Sequence, residues 1–413
     1  MTRREIDSPY AWFRLAVSVV LSAIGGVGMW SVVVALPAVQ ADFHAERGTA
    51  TLPFTLTMIG FGIGGVIMGK LADRRGIILP VMIGAATLGV GYILASLSGG
   101  LTSFAAAYTL IGTFGSAATF VPLMADISFW FEKRRGIAVA LCACGNYLSG
   151  AIWPTLIESV IRTHGWRTAH LMIGITCLLI MPPLAMLLRS RHPPVRAAGA
   201  PIPTASRHRI ALPSRVLQTL LALAGLACCV AMSMPQVHIV AYCGDLGYGA
   251  TSGARMLSLM LAFGIVSRIG SGFLADKLGG LATLLIGSFA QMFALTLYLM
   301  MDGLTSLYVI SILFGLFQGG LVPSYAIIVR ENFPASEAGG RTGLILMMTL
   351  LGMALGGWMS GVIFDITGSY RAAFANGVAW NGLNFLIALV LFFRSPASAP
   401  RLAIAPHAGS AAE

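Results

Sequence analysis

Apolar residues in this chain come in long runs separated by short polar stretches. Twelve runs reach about 20 residues, the length at which an α-helix crosses the hydrocarbon of a bilayer. They cover 13–37, 50–71, 77–97, 102–131, 136–160, 168–189, 214–240, 251–274, 281–301, 304–329, 342–363 and 372–393. The runs do not alternate apolar with polar positions and are far longer than barrel strands, which argues against a membrane barrel. The pattern predicts an all-α polytopic membrane protein with twelve transmembrane helices. The first run is too long for the core of a signal peptide and lacks a clear small-residue cleavage site, so it is read as a retained span.

The longest interruption, 190–213, begins "SRHPPVRAAGAPIPTASRHR". It is rich in Pro, Ala and Arg and carries no apolar stripe, as a flexible linker does. It divides residues 1–189, with six spans, from residues 214–394, with six more; 395–413 is a tail. Segments of the first half return in the second. "GKLADRRG" (69–76) returns as "GFLADKLG" (272–279), "FVPL" (120–123) as "LVPS" (321–324), and "HGWRTAH" (164–170) as "GSYRAAF" (368–374). Such echoes indicate two pseudo-symmetric six-helix bundles related by an axis along the membrane normal, with a binding site between them near mid-membrane. Pro122 and Pro323 take matching places in spans 4 and 10, where each deletes a helix hydrogen bond and bends the span.

Composition supports this reading and charge gives it an orientation. The chain is 57% hydrophobic and 10% charged, with a mean hydropathy of +0.84; soluble domains carry about 25% charged residues. The net charge of +11 would suit nucleic acid or anionic lipid if it lay on one patch. Of the 26 basic residues, however, 20 fall on the side of the N-terminus, five on the other side, and Arg268 on neither. That bias is the topology signal of membrane proteins. It makes both termini cytoplasmic and leaves no need for a nucleic-acid partner. The abundance of arginine over lysine, with the alanine content, points to a GC-rich bacterium and its inner membrane. The six cysteines form no metal-ligand pattern and read as small packing residues. No nucleophile–base pair, metal cluster or phosphate loop suggests an enzyme, a cofactor or an ATP-driven pump.

One residue breaks the apolar pattern in a way that carries chemistry. Arg268 sits in "LAFGIVSRIGSG" (261–272), eight positions before Asp276. At about 1.5 Å per residue it lies about 12 Å inside the helix end, too deep to snorkel to headgroups. An arginine facing lipid there costs at least about 2.5 kcal/mol, so it faces the bundle interior or a wet cavity, and intramembrane charge of this kind marks function. Carboxylates at its depth are scarce. Asp126 is near the cytoplasmic end of span 4, and Glu158, near the outer end of span 5, is expected to pair with Arg162. Two solutions stand: capping by backbone carbonyls or Asp126, or a counter-ion supplied by the cargo. The planar guanidinium fork suits a carboxylate.

Gly69, Asp73, Arg74 and Gly76, with their copy Gly272, Asp276, Lys277 and Gly279, resemble the loop motif of the major facilitator superfamily. Physically, Gly69 and Gly272 would permit close helix contact. Asp73 and Asp276 would accept from neighbouring helix N-termini or basic loops and latch the cytoplasmic side. The run Phe129, Trp130, Phe131, Glu132, Lys133, Arg134, Arg135 and Gly136, and the span-8 arginine before a glycine-rich turn, are similar to bacterial members of the monocarboxylate transporter and oxalate/formate exchanger group. The resemblance implies that Arg268 binds a substrate carboxylate. Animal members of the monocarboxylate transporter family carry an acidic residue one turn earlier, where this chain has Gly264, and a span-1 lysine, which this chain lacks, so their proton relay does not carry over. Span 11 lacks the second basic residue expected of an oxalate exchanger, and one cation favours a monoanion over a dianion.

The expectation is therefore a secondary transporter of small organic monocarboxylates of the lactate or pyruvate kind, working by alternating access with a proton. Anion exchange, or a drug or sugar carrier on the same fold, are the rivals. The expected partners are the organic anion, the proton and membrane lipid, with a monomer as the simplest working unit. Around Arg268, the polar and aromatic residues expected to line the site are Trp30, Asn146, Tyr147, Gln318, Tyr325 and Trp380. Asp126 and His238 are the proton-coupling candidates, His238 being read as the one histidine in a span.

Overall fold

A computed structural model describes residues 6–132, 134–189, 210 and 212–395. Every regular element among them is helical. The first pass is α1 (Pro9–Gly25) and α2 (Val27–Asp42), bent at Gly26. It begins four residues before the expected start, because Ser8 caps the helix by accepting from the Ala11 N–H at 3.3 Å and Pro9 follows at the first turn. The second pass is α3 (Arg47–Ala50) and α4 (Leu52–Arg75), and the third is α5 (Ile78–Ser96).

The fourth pass is broken, not continuous. It runs through α6 (Leu101–Leu110), a π turn (Ile111–Gly115), a 3-10 turn (Ser116–Thr119) and α7 (Val121–Trp130). The tenth breaks in the same way, at Gly319 and Gly320 between α12 (Leu304–Gln318) and α13 (Leu321–Asn332). Pro122 and Pro323 thus sit in the first turns after the breaks, where a missing N–H costs little. The remaining helices are α8 (Arg135–Met186), α9 (Ser214–Asp245), α10 (Gly249–Leu278), α11 (Gly280–Met300), α14 (Ala335–Thr367) and α15 (Tyr370–Phe393). Among the described residues, eleven segments are long and apolar enough to cross a membrane. The 52-residue α8 holds two passes, because Gly165 at φ 81°, ψ 162° turns the chain inside it. The described passes number twelve.

The sequence echoes are also echoes of backbone. Gly76 (φ 80°) and Gly279 (φ 87°) end α4 and α10, and each N–H closes the turn on Ala72 or Ala275 at 2.8 Å. Gly165 and Gly368 (φ 65°) repeat at the same spacing. Positive φ is nearly free for glycine alone, so the repeated glycines are repeated turns. Arg167 and Arg371, just after the second pair, each donate to the C-terminal end of a preceding pass, at Ser98 O and Leu299 O, both 3.2 Å.

An even number of passes brings the start of α1 and the end of α15 to one face, here the near face. The far face carries Arg47, Glu158, Asp245 and Asp365. Helices before residue 190 meet those after 213 where α2 packs on α9 and along two hydrogen-bonded seams. In one, α8 runs antiparallel to α10: Glu158 meets Thr251, Thr155 meets Ser258, and Ala143 meets Arg268. In the other, α3 and α4 run against α14: Gly48 meets Asp365 and Thr55 meets Ala354. Gly62, the last glycine of this seam to touch α14, meets Met347.

Candidate functional site

The two seams close from the far face and stop at one depth. Among the described residues, no hydrogen bond or ion pair between the two sets of helices lies nearer the near face than Arg268 to Ala143. Beyond that level the near ends of the seam helices turn outward-exposed, at Ile63, Val66 and Ile67, at Arg135 and Ile137, at Ile269 and Phe273, and at Leu344 and Leu346. Arg268 therefore marks the level at which the hydrogen bonds between the two sets of helices stop among the described residues.

Arg268 is half-buried. Its Nε donates to Gly319 O at 3.4 Å and its Nη1 to Ala143 O at 3.3 Å, both long. Its Cζ stands 4.6 Å from the centre of the Tyr147 ring. No carboxylate among the described residues lies within ion-pairing distance of it. The Gly319 carbonyl is free to accept because α12 ends there. The contact is tight because spans 8 and 10 meet through glycine: a methyl at Gly319 would stand 2.8 Å from Ser267 Cβ. Backbone capping of Arg268 is thus present, and its charge is not neutralised by it.

The site brings together some of the expected residues. Tyr147 is buried against Arg268. Trp30 is buried and donates from Nε1 to Asn146 O at 3.3 Å. Asn146 Oδ1 and Ser149 Oγ are buried without a partner among the described residues and face the bend at Gly26. Gln318, next to Gly319, accepts on Oε1 from Gln236 Nε2 at 2.7 Å, and Gln236 Oε1 and Gln318 Nε2 have no partner among the described residues. Tyr325 and Trp380 belong elsewhere. Tyr325 donates to Asn384 Oδ1 at 2.7 Å, and Asn384 and Asn381 both bond Ser288, tying α13, α15 and α11. Trp380 is half-buried on α15, which packs on α9 and α11 away from α10.

Both proton-coupling candidates are held by partners remote from Arg268. Asp126 is buried and takes a two-pronged bond from Arg14, Nε at 2.7 Å and Nη2 at 2.9 Å. Arg14 also donates to Leu188 O at 3.0 Å and lies 4.6 Å from the Trp130 ring. Arg14, at the start of the first predicted run, is therefore part of the first bundle's core. Trp130 is fully buried beside it. His238 bonds Tyr370 OH through Nδ1 at 3.0 Å and Gly357 O through Nε2 at 2.8 Å. It is not the one histidine inside a span. His170 is equally buried and ends a chain in which Ser31 Oγ meets Tyr92 OH at 2.6 Å and Tyr108 OH at 3.0 Å, and Tyr108 OH meets His170 Nε2 at 2.8 Å.

The far face is closed by a cluster that the sequence reading missed. Arg47 pairs with Asp245 at 2.9 and 3.2 Å and donates to Tyr370 OH at 2.6 Å. Its own N–H and that of Gly48 bond the Asp365 carboxylate at 2.8 and 2.6 Å. The guanidinium stands 4.5 Å from the Phe364 ring. Glu158 accepts from Thr251 Oγ1 at 2.6 Å across the other seam and also makes the expected ion pair with exposed Arg162, at a long 4.0 Å.

The near-face motifs are disengaged. Asp73, Arg74, Asp276 and Lys277 are exposed, without an ion pair among the described residues. Gly272 has no neighbour where a side chain would stand, and Gly69 has one only at 3.9 Å, so neither marks a close helix contact. The helix N-terminus that an aspartate was expected to cap is capped by Glu331, which accepts from Gly280 N–H at 3.0 Å.

Two repeated six-helix bundles, bonded to each other at the far face and, among the described residues, not beyond Arg268, have the form of a carrier. The sequence model of the Major Facilitator Superfamily matches residues 18–306 and 284–411. The chain belongs to the Major Facilitator Superfamily. As a superfamily member it is a transporter, not an enzyme. Monocarboxylate transporter 13 of Bos taurus is 28% identical over 377 residues, covering 88% of this chain and 84% of that protein. An uncharacterized MFS-type transporter of Bacillus subtilis, YcxA, is 26% identical over 369 residues, 86% of this chain and 89% of that one. Among solved structures, a bacterial homolog of the human lysosomal transporter Spinster, in an inward-facing and unoccupied conformation, superposes with a TM-score of 0.70 at 13% identity, over 95% of this chain and 99% of that one. This likeness concerns the fold.

Proposed function

We propose that this superfamily member is a secondary active transporter of small organic monocarboxylates in a bacterial inner membrane, with both termini cytoplasmic. The observation that carries the reading is Arg268: a half-buried guanidinium between the bundles with no carboxylate within ion-pairing distance among the described residues. Moving a charge into such a site without a partner is costly, and a cargo carboxylate supplies the partner. The lone cation suits a monoanion. With the near face inside, the structure is the inward-open state, and rocking the bundles would break the Arg47 cluster and engage the near-face motifs.

Coupling to a proton is the first reading. One pH unit supplies about 1.4 kcal/mol, enough for about tenfold accumulation at one proton per anion. Exchange of one anion for another is the second. It is favoured by the placement of Asp126 and His238, both bonded away from Arg268. The test is uptake of labelled lactate, pyruvate, formate and oxalate into proteoliposomes, with and without an imposed pH gradient, by wild type, Arg268→Lys and Arg268→Ala. The expected result is uptake of the monoanions over oxalate, weak in Arg268→Lys and absent in Arg268→Ala. Equal transport by the three proteins would reject the site. Uptake driven by internal anion and indifferent to a proton ionophore would select exchange.

A further inference from the structure

Arg268 has five N–H donors, and its partners come from both bundles. Gly319 O, on Nε, belongs to its own bundle; Ala143 O, on Nη1, and the Tyr147 ring come from the other. Tyr147 reaches Arg268 because α10 has no side chain one turn earlier. A methyl at Gly264 would collide with Tyr147 Cε1, so the ring occupies that notch.

We propose that Tyr147 is a positioning residue for Arg268: its ring, with the Ala143 carbonyl, holds the place of the cargo carboxylate while the far-face seam is shut. The proposal rests on reading Arg268 as the anion site. When α8 and α10 part, the ring and the Ala143 carbonyl leave with α8, while Gly319 stays beside α10. The guanidinium then keeps one partner and presents its remaining donors to an anion. When the seam closes, the placeholder returns and competes for the same charge. Anion affinity is therefore lower in the seam-closed state than in the seam-open one, and cargo taken from the far side is expelled toward the near side. An aromatic face competes with a carboxylate without removing the cation's charge, so it weakens binding without forbidding it.

The test uses two independent ways of removing the ring from Arg268. Tyr147→Leu deletes the aromatic face, and Gly264→Ala displaces it without touching Tyr147. Tyr147→Phe keeps it. KM is measured separately from each face in oriented proteoliposomes. Both ring-removing variants are expected to lower the near-face KM about three- to tenfold and to slow turnover, with the far-face KM within about twofold and Tyr147→Phe like wild type. A near-face KM unchanged in both would overturn the proposal. So would a KM raised on both faces by Tyr147→Phe as well, which would make the phenol a direct ligand. A substrate-free arm separates this from failure of the transport reading. Spin labels at Ile137 and Phe273, both exposed at the near ends of α8 and α10, report near-face opening in the empty protein. Tyr147→Leu is expected to shift their distances toward the shorter, near-closed population. That shift in a protein that carries no monocarboxylate would sink the cargo assignment and keep the cross-bundle tie. No shift, with unchanged KM, would sink the tie.

Discussion

Arg47 and Asp245 lie 198 residues apart and meet at 2.9 Å, joining the second pass to the seventh at the far face. Around them Tyr370, Asp365 and, one layer in, His238 complete a cross-bundle clamp. Asp245 is 37% exposed and Arg47 9%. A pair so placed contributes about 1 kcal/mol, less than the 3–5 kcal/mol lost on breaking a fully buried pair. Arg47→Ala should therefore raise the far-open population roughly five- to tenfold. An Ala241→Cys reporter, buried in the closed state beside this cluster, should react faster with an impermeant maleimide by that factor. The six native cysteines are buried and give little background. An unchanged labelling rate would mean that the clamp does not hold the face.

The pair of Arg14 and Asp126 predicts a different phenotype. It lies wholly inside the first bundle, with side chains 1% and 2% exposed. Removing one partner leaves a buried charge, at a cost of about 3–5 kcal/mol. Arg14→Ala and Asp126→Ala should each lower the midpoint of thermal unfolding steeply. The double change Arg14→Met with Asp126→Leu should recover most of the loss, because a well-packed apolar pair replaces a buried ionic one at little cost. In proteoliposomes, the double variant should keep the wild-type response to an imposed pH gradient. A response lost with stability restored would return Asp126 to the proton path.

Ser31 is the hinge of a buried hydroxyl chain. It bonds both Tyr92 and Tyr108, and Tyr108 passes the connection to His170. Ser31→Ala should cost about 1–3 kcal/mol of stability by leaving buried hydroxyls short of a partner. Because the chain ties helices within one bundle, KM for the cargo should be unchanged. A raised KM with normal stability would place the chain in the transport path instead.

The fold was legible because bilayer physics writes it in composition: long apolar runs, charge bias and duplicated turns survive without any knowledge of contacts. Arg268 was legible for the same reason, as a charge at a depth where charge needs a reason. What was not legible depended on which passes touch. Arg14 reads as a topology charge at a helix start, and only its approach to Asp126, 112 residues on, makes it a core residue. Arg47 reads as a loop charge until α9, α14 and α15 converge on it. Tyr325 and Trp380 were polar or aromatic at the right depth, but depth does not say which face of a helix meets the other bundle. The breaks at Phe120 and Gly319 carried a signal, a proline two to four residues later. That proline marks the turn after a break and not a bend inside a helix.

The glycines of the repeated turns allow a graded test of that reading. Gly76 (φ 80°, ψ 173°), Gly165 (φ 81°, ψ 162°) and Gly279 (φ 87°, ψ 165°) occupy a region that is closed to side chains. Alanine there should cost about 1–3 kcal/mol each although, among the described residues, nothing stands within 4 Å of a methyl placed at Gly76 or Gly165, and one at Gly279 meets only Glu331 Oε1 at 3.5 Å. Gly368 (φ 65°, ψ 12°) is left-handed helical, which side chains tolerate better, so Gly368→Ala should cost about 1 kcal/mol. Gly69 and Gly272 lie in ordinary helix with open space around them. Alanine at either should be neutral to stabilising by a few tenths to about 1 kcal/mol, because alanine is the better helix former. Unfolding midpoints of the six single variants should fall into these three classes. A large loss at Gly69 or Gly272 would mean that the motif glycines serve a close contact in the opposite conformation. A small loss at Gly76 and Gly279 would mean that the repeated turns are not set by backbone strain.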